Sequence, residues 1–273
     1  MATSKHFSLA KLSAICRGDE VAIPAAIRGD QKGWISTSLL TILAGCGLYG
    51  IAVGLWRAPE QALFLSIKFP LLIFSVVLFN GFLNGMLAQL LGTGLSFRQT
   101  LTAILMSFAT FGAVLGGLFP VAFFMAIGGP EFTPDNHEAY GRFVLIHTAI
   151  IAYAGLVSNV QMLGTLMQVS GKSAAIRTFF AWTAGNLFVG AQLAWNLRPF
   201  FGNPDREVQF LREKAFEGNF YEAIVRLSKF QLSKPDGGGV LFAAVALAVI
   251  AFAFIAIHRA VTRLNKLQTK NAN

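Results

Sequence analysis

Asn80 and Asn84 stand four residues apart in a long apolar run, with Gly81 and Gly85 beside them. A side-chain amide carries two donors and a carbonyl acceptor, and hydrocarbon offers no water to satisfy them. The pair therefore serves helix packing, by bonding across a glycine-lined close approach, or a polar pathway through a bundle. Asn159, Gln161 and Asn186 extend the same choice to later runs. Lys68, His147, Gln192, Asn196 and Arg198 fall at similar expected depth near the other end of their runs. If all face inward, they form one polar cluster beneath a long connection. Lys68 has two readings: its stem snorkels so that the ammonium reaches water, or it faces the bundle as a buried charge.

Familiar catalytic patterns do not occur. Gly171-Lys172-Ser173 resembles the end of a phosphate loop, but the glycine required five residues earlier is Leu166. His6, His137, His147 and His258 are scattered in expected depth, and no metal-ligand spacing is found. Neither a Ser/His/Asp arrangement nor His-Glu-x-x-His is present. No acidic residue lies in the core of an apolar run, which disfavours proton coupling through a buried carboxylate. Accordingly no catalytic residue, metal or cofactor is expected. Cys16 lies in a polar stretch and Cys46 in the first apolar run, depths that disfavour a disulfide.

The elements that would position these side chains follow from composition. The chain has 273 residues, 55% hydrophobic and 13% charged, with mean hydropathy +0.59. Soluble domains carry about 25% charged residues, so much of this surface faces something other than water. Net charge is +9, but the bases cluster at the ends of apolar runs. No basic stripe with interleaved aromatics appears, which argues against a nucleic-acid partner. Six runs, near residues 34–56, 62–91, 99–127, 143–169, 174–197 and 239–257, are long enough to cross a bilayer as helices. Backbone groups in lipid must bond within their own segment, and barrel strands would be short and alternating. The expected fold is an all-α, polytopic transmembrane bundle of about six spans. Ser96 through Gln99 reads as a capping box opening the third run.

Domain organisation follows. Residues 1–33 form an amino-terminal arm, with either an interfacial helix or a disordered basic tail. Residues 34–197 form a five-span bundle. Residues 198–238 form an outer loop, and residues 239–273 a sixth span with a basic tail. In the loop, Asn203 with Pro204, and Asn219 with Glu222, read as helix starts. Phe210, Phe216, Phe220 and Ile224 then fall largely on one side, the pattern of amphipathic helices lying on a membrane surface. Lys5, Lys11, Arg17, Arg28, Lys32, Arg98, Lys172, Arg177, Arg259, Arg263, Lys266 and Lys270 all fall on one side of a six-span arrangement. The short opposite connections hold Arg57 and Arg142, and residues 128–140 carry Glu131, Asp135 and Glu138 with no base. That bias puts both termini in the cytoplasm, in a plasma or bacterial inner membrane.

Two stretches resemble an uncharacterised family of bacterial polytopic membrane proteins. One runs from Lys68-Phe69-Pro70 through Leu91-Gly92 to Thr100. The other runs from Phe188-Val189-Gly190 through Trp195 to Arg198-Pro199-Phe200 and Gly202. That family is distantly similar to the Ypt/Rab-interacting (Yip) membrane proteins, which implies a multi-spanning α-helical protein, a cytoplasmic amino terminus and a non-enzymatic role in membrane organisation. The Yip pattern of five spans and an Asp-Leu-Tyr-Gly-Pro-like motif is not matched, so no functional residue carries over. The expected partners are the lipid bilayer and other membrane-protein subunits, or a second copy of the chain. The expected function is a scaffold or accessory subunit of a membrane complex. A channel or transporter for a small solute is the alternative, and an intramembrane enzyme the third reading.

Overall fold

A computed structural model of the chain describes residues 7–133, 136–202 and 207–222. The chain divides into two compact units, residues 1–215 and 216–273. The described regular structure of the first is helical: α1 (Leu9–Arg17), α2 (Ala22–Arg28), α3 (Lys32–Leu55), α4 (Pro59–Leu90), α5 (Phe97–Gly117), α6 (Phe119–Gly128), α7 (His137–Ser170) and α8 (Lys172–Asn196). Four of them, α3, α4, α5 and α7, are long and apolar enough to cross a membrane. α8 runs alongside for 25 residues but is more polar, carrying Lys172, Arg177, Asn186, Gln192 and Asn196. The expected sixth run, 239–257, lies outside the described residues. In the second unit, the Glu222 N–H bonds to Asn219 Oδ1 at 2.7 Å where a helix opens at Phe220.

Glycine sets the core. In a membrane, helices associate by close packing and polar contacts rather than by escaping water. A Cβ at Gly45 would collide with the Gly112 carbonyl, and one at Gly50 with the backbone of Leu65. At Gly54 it would come within 2.5 Å of Ala62 Cα, and at Gly116 within 3.0 Å of Gly45 Cα. α3 is thereby seated directly on α4 and α5. Tyr49, Leu65, Phe69, Ala109 and Leu115 fill the space around these contacts.

The long helices α3, α4 and α5 reverse direction from one to the next, so the bundle has two ends. At the base, the arm is two packed helices rather than a free tail. Ile15 and Ile27 are fully buried. The Arg28 guanidinium donates to the Val169 carbonyl at 2.5 Å, and Gln31 Nε2 to the Ile27 carbonyl at 2.6 Å. Gly18 closes α1 at φ +63°, a left-handed conformation that glycine adopts without strain. The far end holds the α3–α4 turn, residues 128–133 and residues 197–202.

Two expectations are corrected. The third run, read as continuous over 99–127, is broken between α5 and α6. Pro120 has no N–H for the Gly116 carbonyl, and the α5 ladder ends at Leu118, whose N–H bonds back to Val114 and Leu115 at 3.0 and 3.1 Å. The loop helix expected after Pro204 is also not formed over the described residues 207–218, which run as bends and turns. There Arg212 donates to the Ala215 carbonyl at 3.1 Å, and Gly218 turns the chain at φ +70°. Side-chain bonds and a glycine turn take the place of the helical ladder. The Asn203-Pro204 cap itself and Ile224 lie outside the described residues.

Candidate functional site

At the far end, residues 199–202 are held at three of their carbonyls. Lys68, fully buried on α4, donates from Nζ to the Pro199 carbonyl at 2.8 Å. Gln61 Nε2, two turns earlier, reaches the Phe200 carbonyl at 2.8 Å, and the Tyr140 hydroxyl of α7 reaches that of Gly202 at 2.7 Å. Aromatic faces complete the surroundings of Lys68, with Phe210 centred 5.0 Å and Phe200 6.0 Å from Nζ. A cation over such faces is attracted by the ring quadrupole, which offsets part of the lost hydration. Of its two readings, the bundle-facing one describes Lys68. No water path is needed, because a carbonyl and two rings take the place of solvent.

His147, also fully buried, lies near this segment. Its Nδ1 is 2.8 Å from the Tyr49 hydroxyl of α3, and its ring packs 4.2 Å from Phe143 and 6.4 Å from Phe201. Nε2 has no hydrogen-bond partner among the described residues. The remaining members of the expected cluster sit apart. Gln192 Nε2 donates to Asn196 Oδ1 one turn on, at 3.2 Å, along α8. The Arg198 guanidinium lies over the Trp195 ring and donates to the Trp195 carbonyl at 3.0 Å. Burial, and then the neighbouring Arg212 charge, lower the Arg198 pKa from its ordinary value. The structure thus brings Lys68 and His147 to one chain segment and leaves Gln192, Asn196 and Arg198 on the α8 side.

The amides within the bundle form a second constellation. Asn186 Oδ1 on α8 accepts from Asn80 Nδ2 at 2.6 Å and from Asn84 Nδ2 at 3.1 Å. Trp182, one turn before Asn186, donates its indole N–H to the Asn84 carbonyl at 2.9 Å. Asn80 and Asn84 are fully buried. Gly81 and Gly85, beside them, face Leu101 and Phe97 of α5, where a methyl group would collide. Asn159 donates within α7 to the Gly155 carbonyl at 2.8 Å and accepts from Thr183 of α8 at 3.1 Å. Gln161 works at the base: Thr110 of α5 donates to its Oε1 at 2.5 Å, and its Nε2 reaches the Ile15 carbonyl of α1 at 2.6 Å. Asn80, Asn84, Asn159, Gln161 and Asn186 each bond to another element, while the Oδ1 atoms of Asn80 and Asn84 have no partner among the described residues.

Sequence reasoning missed Tyr49, Gln61 and Tyr140. Gln61 stands near the α4 start, inside the acceptable margin of a span, and a tyrosine reads as one more apolar ring. The usable signal was that Tyr49 is a hydroxyl-bearing ring placed mid-run, where phenylalanine otherwise dominates. Comparison of the chain with protein-family models, with curated proteins and with solved structures finds no match, so its geometry alone carries the functional reading.

Proposed function

We propose that the protein is a six-span, non-enzymatic membrane protein that acts as a scaffold or accessory subunit of a membrane-protein complex. One observation carries this reading: the amides inside the bundle bond to one another and to neighbouring helices. Asn186 gathers both Asn80 and Asn84, and Gln161 ties α5 to α1. Groups consumed in this way fix a shape instead of lining a route for a solute. The acidic residues within α3 to α8 are Glu60 and Glu138, both in first turns. Among the described residues, α8 also turns Phe180 and Leu187 outward, a surface for another membrane helix.

A photo-crosslinking residue at Leu187 in native membranes tests the reading. A defined product with a second membrane protein supports it. Products with lipid alone, together with solute flux through reconstituted vesicles, favour the transporter. Orientation is read from the two cysteines, exposed Cys16 on α1 and fully buried Cys46 on α3. With both termini cytoplasmic, a membrane-impermeant maleimide labels Cys16 in inverted vesicles and not in intact cells.

A further inference from the structure

α6 is ten residues long, too short to span, and the described residues leave a cleft beside it. Between α6, the start of α7 and the end of α3 lies a cleft of about 630 Å³. Trp56, Val121, Phe124, Met125, Phe143 and Ile146 wall it. Small-molecule pockets span about 300–1,000 Å³, so this one has the capacity for a ligand. An apolar cavity holds water poorly. Within a bilayer, the apolar species present in excess is an acyl chain.

The mouth of the cleft is charged. Arg142 lines it and faces the Glu138 carboxylate at 3.5 Å. Glu138, Arg142 and Ile146 follow at four-residue intervals on one face of α7, so charge gives way to an apolar wall one turn deeper. Both charged side chains are mostly exposed, 64% for Arg142 and 80% for Glu138. Exposed pairs of this kind are weak, and they open readily for a competing ligand. The Trp56 indole N–H bonds to the Pro130 carbonyl at 3.0 Å on the rim, as tryptophan does at a membrane–water boundary.

We propose that the cleft binds one acyl chain of a phosphatidylethanolamine, with its phosphate on Arg142 and its primary ammonium on Glu138. A guanidinium takes a phosphate through charge-assisted bonds. A purely anionic headgroup would meet the Glu138 carboxylate, and a quaternary choline has no N–H to give it. The zwitterion with a primary ammonium matches both members of the pair.

The full chain, purified in mild detergent, is incubated with equal amounts of phosphatidylethanolamine, phosphatidylcholine and phosphatidylglycerol. Retained lipid is counted by native mass spectrometry. Phosphatidylethanolamine is expected to be retained several-fold over the other two. Arg142→Gln lowers that retention several-fold, and Glu138→Gln removes the preference over phosphatidylglycerol while lipid stays bound. Val121→Trp, which fills the cleft, lowers retention of all three. Equal retention of the three lipids by the unaltered chain overturns the proposal, as does retention unchanged in both the Arg142 and Glu138 variants. The two charge variants are at exposed positions, so they carry the test even where Val121→Trp impairs folding.

Discussion

Replacing Asn186 by leucine removes one oxygen that two buried amides share. Asn80 and Asn84 donate to it at 2.6 and 3.1 Å, and the Oδ1 atoms of both already have no partner among the described residues. The substitution leaves both amides with no side-chain bond in a medium that offers no water. Interhelical hydrogen bonds in membranes contribute about 0.6 kcal/mol on average and about 1.7 at most. Two of them, with the added cost of stranded polar groups, give an expected loss of about 1–3 kcal/mol. Reversible unfolding of the full chain in mixed micelles, titrated with a denaturing detergent, measures this loss. Trp182, fully buried and bonded to the Asn84 carbonyl, is a local fluorescent reporter. The triple change of Asn80, Asn84 and Asn186 to leucine is the decisive companion. Removing donors and acceptor together leaves nothing stranded, so the triple variant should be more stable than Asn186→Leu alone. A loss below about 0.3 kcal/mol for the single change, or a triple variant as unstable as the summed single changes, refutes the reasoning.

Gln161→Leu should release the arm, raising amide hydrogen exchange across residues 9–28 while α4 and α8 stay protected; unchanged exchange in the arm argues against the Gln161 tie. Gly45→Ala should cost about 1–3 kcal/mol, because its methyl meets the Gly112 carbonyl, whereas a methyl at Gly47 finds its nearest neighbour at 3.4 Å. Gly47→Ala is therefore the matched control, and equal effects on unfolding count against the close approach. Lys68→Met should loosen residues 199–202, seen as faster exchange there, since the Pro199 carbonyl loses its donor. Asp19 accepts the N–H groups of Ala22 and Val21 at 2.8 and 3.0 Å, and these bonds lower its pKa. Its contribution is therefore full above the ordinary aspartate value of about 3.9 and lost as pH falls through the lower folded value. Exchange in α2 should rise in that acidic window, and Asp19→Asn should flatten the response.

Apolar run length made the helices legible, and local chemistry made some of their ends legible. The Ser96–Gln99 box is present in both directions, at 3.3 Å and 2.8 Å. Rotation about each helix axis was not legible, because apolar residues surround α3, α4 and α7 on all sides and leave no polar face to mark the outside. That is why Lys68 had two readings and why Asn186 was not paired with Asn80 and Asn84 from sequence. Pro120 was a readable stop that the continuous apolar composition of 99–127 concealed, whereas Pro70 lies inside an unbroken α4. The stretch 207–218 had the spacing of an amphipathic helix, but spacing does not reveal that Arg212 bonds to a nearby carbonyl in place of helical partners.

The amide triad also has a history in time. Asn84 and Asn186 are 102 residues apart in the chain. At a synthesis rate of about 5–20 residues per second, roughly 5–20 s separate their emergence. The glycine seams joining α3, α4 and α5 involve consecutive helices, so they can close during that interval. Asn80 and Asn84 meanwhile stand on a finished surface without the oxygen they require. A nascent chain halted between α7 and α8 would present two unsatisfied amides to the bilayer, a mark by which the insertion and quality-control machinery could tell an unfinished molecule from a finished one.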